Sequence, residues 1–253
     1  MYNPGSYSKL IQDLVPSVIE ALQNRQDVTT QQAATWLVHT LKELTPKYPF
    51  EELRIIGPNV IIGPGLGFNG SANIYPVTYF LNSGDDYSRL EDPVIYFAGG
   101  NTASSTLQTL ATGPTYPMDY MQPKAIQPLM NVPGGIPFKY TRYGGMFWFG
   151  AQPTRNFAVF CPYQKKHPFT DGNVMESPLY IAPEWEQICA YDAARRGATA
   201  LRWNEQSNYL HELLYGDPSN PDKRPGLIAS LENQQERDQR LSTRSVTMRV
   251  ERA

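Results

Sequence analysis

The stretch Phe138-Lys139-Tyr140-Thr141-Arg142-Tyr143-Gly144-Gly145-Met146-Phe147-Trp148-Phe149 decides the fold class. Phe138–Arg142 and Met146–Phe149 are aromatic runs of strand length, and Gly144-Gly145 between them can supply the positive φ of a tight hairpin turn. Outward from this hairpin the same pattern recurs. Leu53–Ile56, Val60–Ile62, Ile74–Leu81, Val94–Phe97 and Asn156–Phe160 are further strand candidates, and Gln152–Arg155 is expected to form another hairpin loop. Residues 54–180 hold 15 of the 19 glycines, 14 of the 22 prolines and 20 of the 30 aromatics, but only 15 of the 46 charges. That bias reads as β-structure with many turns. Thr112–Pro137, with six prolines and little periodicity, is expected to be a long irregular loop. Loops of that length inside a compact domain are often functional.

The flanks carry helical periodicity instead. Leu10, Ile11, Leu14, Val18 and Leu22 share one face of a first helix, which Pro16 is expected to kink or split. Thr29 and Gln32 stand at capping-box spacing ahead of Ala33, Ala34, Leu37, Leu41 and Leu44, and Pro46 and Pro49 should stop that second helix. Pro183 suits a first helical turn. After it, Ala190, Ala193, Ala194, Gly197, Ala198 and Leu201 form a stripe of mostly small side chains, extended by Leu210, Leu213 and Leu214 up to Gly216. Such a stripe lets a second helix approach closely or fits a crowded contact between subunits.

A last helix is expected from about Gly226 to Gln239, apolar at its start and polar all round thereafter. Val246, Met248 and Val250 then alternate with polar residues, a short strand pattern that needs a sheet edge to pair with. The expected fold class is therefore α+β. An α-helical bundle comes from the N- and C-terminal segments, 1–53 and 181–240; a large antiparallel β-rich insertion fills 54–180; and 241–253 is an extended C-terminal tail.

A length of 253 residues can bury a real core. The net charge of -2 sets up no global field toward nucleic acid or membrane, yet residues 223–253 carry a net +3, which suggests a docking end. Cys161 and Cys189 are too few for a disulfide framework and fit no zinc spacing, so a reducing compartment is the simpler expectation. The N-terminus lacks the pattern of a signal peptide, and no apolar run approaches the length of a membrane span.

Catalytic chemistry finds little purchase. Gly65-Leu66-Gly67-Phe68-Asn69-Gly70 matches a dinucleotide-binding spacing, but the alternating, proline-bearing Ser71–Pro76 follows where a helix should open, so a turn is expected. Asp85-Asp86 and Glu91-Asp92 are paired carboxylates of a polar loop, expected to face water. His39, His167 and His211 are scattered and read as surface or capping residues, and Ser104-Ser105 lacks a nucleophile-elbow context. Phe147-Trp148-Phe149 reads as core rather than a stacking platform. No cofactor or metal is expected, and the chain reads as non-enzymatic.

Three stretches carry a resemblance. The first runs from Asp27-Val28 through Trp36-Leu37-Val38-His39-Thr40-Leu41-Lys42-Glu43-Leu44 to Tyr48-Pro49-Phe50-Glu51-Glu52-Leu53. The second is Phe157-Ala158-Val159-Phe160-Cys161-Pro162-Tyr163-Gln164-Lys165-Lys166-His167-Pro168-Phe169. The third is Ile188–Tyr215 with its Ala/Arg-rich helix, then Leu227–Arg240 and an Arg-containing tail. Together they resemble the head-to-tail adaptor family of short-tailed bacteriophages; Thr112–Pro137 lies outside the likeness.

The resemblance implies a structural virion protein of the head–tail junction, made in the host cytoplasm. It would form a dodecameric ring of its own copies below the portal protein, with a channel for DNA passage, and would meet a tail nozzle or tail fibre protein below. Portal docking would fall to Arg240, Arg244, Val246, Met248, Arg249, Val250 and Arg252, and ring packing to Ala190, Ala193, Ala194, Gly197, Ala198 and Leu201. No membrane partner is implied. The rival reading is a glycan- or receptor-binding tail protein that uses the aromatic middle; a hydrolase would need a cleft joining Asp85, Asp86, Glu91 or Asp92 to another polar group.

Overall fold

Where apolar side chains recur at helical spacing near the ends of the chain, the computed structural model forms helices. It describes residues 9–48, 50–96, 114–170, 173–217 and 225–233. The helices are α1 (Ile11–Ala21), α2 (Thr30–Lys47), α3 (Pro123–Met130), α4 (Pro183–Ala200) and α5 (Asn204–Tyr215). Residues 227–233 are also helical. The chain divides into two compact units, Met1–Glu52 with His167–Ala253, and Leu53–Lys166.

In the first unit, α1 buries Ile11, Leu14, Val15 and Val18 and runs unbroken through Pro16, where a kink or a split was the expectation. The cap of α2 is reciprocal. Gln32 N–H donates to Thr29 Oγ1 at 3.2 Å, and Thr29 N–H donates to Gln32 Oε1 at 2.9 Å, so each side chain satisfies a backbone donor the helix leaves open. The helix passes Pro46 and ends at Lys47. Pro183 opens α4, and Trp185 two residues on packs on Tyr48 and Phe50 with ring centroids 5.0 and 4.8 Å apart.

The sequence pattern suggests one helix from Pro183 to Gly216, but two form. Arg202 takes φ 57°, its N–H donates to Thr199 O at 3.1 Å, and Trp203 N–H donates to Ala198 O at 2.8 Å. This is a Schellman closure with arginine in the left-handed position usually held by glycine. It ends α4 and turns the chain into α5, which buries Leu210 and Leu214 and stops at Gly216 with φ 86°.

The boundary after the β-rich region falls at Lys166 rather than at 180. Residues 167–180 belong with the helices because Ile11 N–H donates to Ser177 O at 3.0 Å and Leu179 N–H to Lys9 O at 2.9 Å.

The second unit holds eleven described strands: β1 (Arg54–Ile56), β2 (Val60–Ile62), β3 (Ile74–Pro76), β4 (Tyr87–Leu90), β5 (Val94–Tyr96), β6 (Thr115–Pro117), β7 (Asp119–Tyr120), β8 (Lys139–Tyr143), β9 (Met146–Gly150), β10 (Phe157–Phe160) and β11 (Pro162–Lys165). They make three sheets, in the orders β1-β11-β4, β2-β10-β5-β6 and β3-β9-β8-β7. Pairing is antiparallel except between β7 and β8. The protein is thus α+β. Gly144 and Gly145, at φ 59° and 74°, make the β8–β9 turn, the double positive φ that matches the twist of a two-residue hairpin.

Alternation on the strands fills the core with Tyr75, Tyr140, Phe147, Phe149, Phe157, Val159 and Tyr163, and Phe80 joins them from the 3-10 turn Val77–Phe80 that follows β3. Gln152–Arg155 does not close a hairpin, since β9 and β10 lie in different sheets and the loop carries the chain from one to the other. Within Thr112–Pro137, the described residues form β6, β7 and α3 in place of an irregular loop. Pro123 sits in the first turn of α3, where its missing N–H costs no hydrogen bond. No helix among the described residues is long and apolar enough to cross a membrane.

Candidate interaction surfaces

The small-residue stripe of α4 is filled from within its own unit. Ala190, Ala193, Ala194, Gly197 and Ala198 are buried, and α4 packs against α1, α2 and α5. Leu201, half-buried, lies beyond the helix end. Of the six residues expected at a ring contact, Ala190, Ala193, Ala194, Gly197 and Ala198 are thus covered within this unit, and Leu201 is half-buried. Small side chains here let neighbouring helices close on α4, so the face is spent inside the subunit. The portal-docking residues Arg240, Arg244, Val246, Met248, Arg249, Val250 and Arg252 lie outside the described residues.

The same helix carries a polar cluster that periodicity does not announce. Asp192 is fully buried. Arg195 Nη2 donates to its Oδ1 at 2.8 Å, Arg196 Nε to its Oδ2 at 2.8 Å, and Thr40 Oγ1 of α2 to its Oδ2 at 2.9 Å. Arg196 also grips Glu43 of α2 through Nη1 and Nη2 at 3.0 and 2.8 Å. Burial pushes the Asp192 pKa up, but the hydrogen bonds from Arg195 and Arg196 outweigh it and hold the carboxyl below its ordinary value. The Arg196 bonds likewise lower Glu43. With every oxygen of Asp192 accepting, the cluster is a clamp between α2 and α4 rather than an acid–base site. Its one sequence signal is an Asp followed by Arg at both i+3 and i+4, the helical neighbours.

In the β unit the paired carboxylates are also engaged. Tyr163 Oη donates to Asp85, and Lys166 Nζ pairs with Asp86 at 2.7 Å. Arg54 forks onto Glu91 at 2.7 and 2.6 Å, and Tyr140 Oη donates to Asp92. Burial is the main cause that raises the Tyr140 pKa, and the Asp92 carboxylate adds to it. Glu91 and Asp92 line an open cleft of about 770 Å³ with Arg54, Arg89 and Arg142. Asp85 and Asp86 are not part of its lining.

The Gly65–Gly70 loop is a turn. Gly67 N–H donates to Ser71 O at 2.7 Å, Phe68–Gly70 forms a short 3-10 turn, and β3 follows, so no helix N-terminus faces a phosphate. Trp148 packs edge-on against Tyr143, while Phe147 and Phe149 are buried. His39 and His211 are exposed. His167 departs from the surface reading: it is buried beside Phe169, at 4.8 Å between ring centroids, and its Nε2 accepts from Tyr180 N–H at 3.2 Å. Both cysteines are buried free thiols. No group of three or more His, Cys, Asp or Glu side chains is placed to hold a metal ion among the described residues.

Comparison with protein-family models and with curated proteins finds no match to this chain.

Proposed function

We propose that this chain is a structural virion protein, a head-to-tail adaptor that assembles as a ring below the portal and leaves a channel for DNA. What carries the reading is one arrangement: helices from both ends of the chain close on one core around α4, and the β-rich unit lies between them in sequence. This supports reading the chain as a helical bundle interrupted in sequence by an insertion, in keeping with the resemblance carried by Asp27–Leu53, Phe157–Phe169 and Ile188–Tyr215. The engaged carboxylates of the β unit favour a structural role over a hydrolase. Tyr75, Tyr140, Phe147, Phe149, Phe157 and Tyr163 of its strands are buried, whereas the exposed Tyr87, Tyr116, Tyr120 and Tyr143 sit on β4, β6, β7 and β8 of three different sheets. This scatter favours the adaptor over a glycan-binding platform.

Contacts between copies would use surfaces other than the filled face of α4. The chain alone is expected to be a monomer, because its net charge is small and its docking tail needs a partner. Light scattering of the purified chain, alone and mixed with the portal of its own phage, tests this. A shift to a large complex that is lost on deleting Ser242–Ala253 supports the adaptor and its basic tail. Absence of association at every salt concentration overturns it in favour of the glycan-binding tail protein.

A further inference from the structure

Arginine carries no acceptor, so guanidinium groups brought together repel one another unless an anion joins them. In the β unit, Arg54 of β1 pairs in register with Gln164 of β11, and Gln164 pairs with Arg89 of β4. Residues in one row of a sheet point to one face, so Arg54 and Arg89 stand on the same side about 10 Å apart, two strand spacings. Arg142 of β8 reaches the same cleft from another sheet. Arg54 is forked onto Glu91, whereas Arg89 and Arg142, both exposed, make no hydrogen bond or ion pair among the described residues. The unit holds eight Lys/Arg against five Asp/Glu, a net +3.

We propose that this cleft docks an extended acidic segment of a protein partner, whose carboxylates are gripped by Arg89 and Arg142. The planar fork of arginine matches a carboxylate with two parallel hydrogen bonds. The strand beside it can hold an extended chain. Among the described residues β4, which lines the cleft, pairs only with β11, so its other edge is left unpaired among them and can accept an added strand. Glu91 and Asp92 within the cleft decide against nucleic acid. A phosphodiester backbone brings a charge with every nucleotide and meets both carboxylates, whereas a peptide can place a neutral residue there. This inference stands on the β unit alone and holds whether or not the chain builds a ring.

The test uses the full chain and a fluorescein-labelled peptide of alternating Glu and Ser, about ten residues long. Fluorescence anisotropy is expected to show binding that weakens with salt. It should fall at least roughly ten-fold in Arg89→Glu/Arg142→Glu, since reversed rather than missing charges now face the peptide. Two control variants, Lys124→Glu alone and Lys124→Glu/Lys139→Glu, the latter with the same change of net charge, are expected to retain binding. An oligothymidylate of equal charge is the competing probe. The proposal is overturned if the peptide does not bind, if the control pair weakens binding as much as the cleft pair, or if the oligothymidylate binds more tightly and is the ligand the cleft variant loses.

Discussion

A Cβ placed on Gly197 of α4 would lie 2.5 Å from the indole of Trp36 on α2, so the glycine is the socket in which the ring sits. Contact this close explains why a residue that weakens helices is tolerated in the last turn of α4. Gly197→Ala is therefore expected to destabilise by about 1–3 kcal/mol through overpacking, against a helix-propensity gain of about 1 kcal/mol. In a Trp36→Ala background the clash has no partner, and the same substitution should become neutral or stabilising. Thermal unfolding of the four proteins of the cycle decides this. Equal costs in both backgrounds would remove Trp36 from the explanation.

Asp192 should make the protein acid-sensitive. Its folded pKa lies below its ordinary value, so on acidification the unfolded chain takes up the proton first. The contribution is complete above about pH 4–5 and is lost as pH falls through the folded value. Asp192→Ala, which strands Arg195 and Arg196, is expected to cost about 3–5 kcal/mol and to flatten the acid limb of a stability-against-pH curve. An unchanged acid limb in the variant would show that other carboxylates set it.

How much of this was legible depends on what each residue signals locally. The Thr29–Gln32 cap, the Gly144-Gly145 turn and the alternating aromatics of β8 and β9 declare themselves, because their information lies within a few residues. The break at Arg202 does not, since a left-handed cap filled by arginine lacks the glycine that normally marks it. β4 and β11, reading Tyr-Ser-Arg-Leu and Pro-Tyr-Gln-Lys, are too short and polar to stand out, and they are strands because β11 is held between β1 and β4. Helix α3 is hidden by the two prolines it contains. The small face of α4 is plain in the sequence, but whether its partner is another helix of the same subunit or another copy is a tertiary fact. The cleft is the least legible, because Arg54, Arg89 and Arg142 meet only through strand pairing and sheet packing.

The reciprocal cap of α2 gives a graded prediction. Thr29→Ala removes the acceptor for the Gln32 N–H and is expected to cost about 1 kcal/mol, whereas Thr29→Asn or Thr29→Ser should cost a few tenths at most. Equilibrium denaturation separates these. Equal losses in all three variants would point to packing of the threonine methyl rather than to the hydrogen bond.

The buried thiols are expected to be inert. Burial pushes the Cys161 pKa up to about 12, and it raises Cys189 as well. Alkylation proceeds through the thiolate, and at pH 8 a group titrating near 12 supplies only about one part in ten thousand of it. Both sulfurs are also shielded from reagent, Cys189 by the helices packed on α4 and Cys161 by the core of the β unit. Iodoacetamide at pH 8 should therefore leave the folded chain unlabelled and add two groups after denaturation, counted by intact mass. Labelling at intermediate denaturant distinguishes the units: if one cysteine reacts before the other, the helical and β-rich units open separately. Rapid labelling of either residue in the native chain would contradict the burial on which the packing of its unit depends.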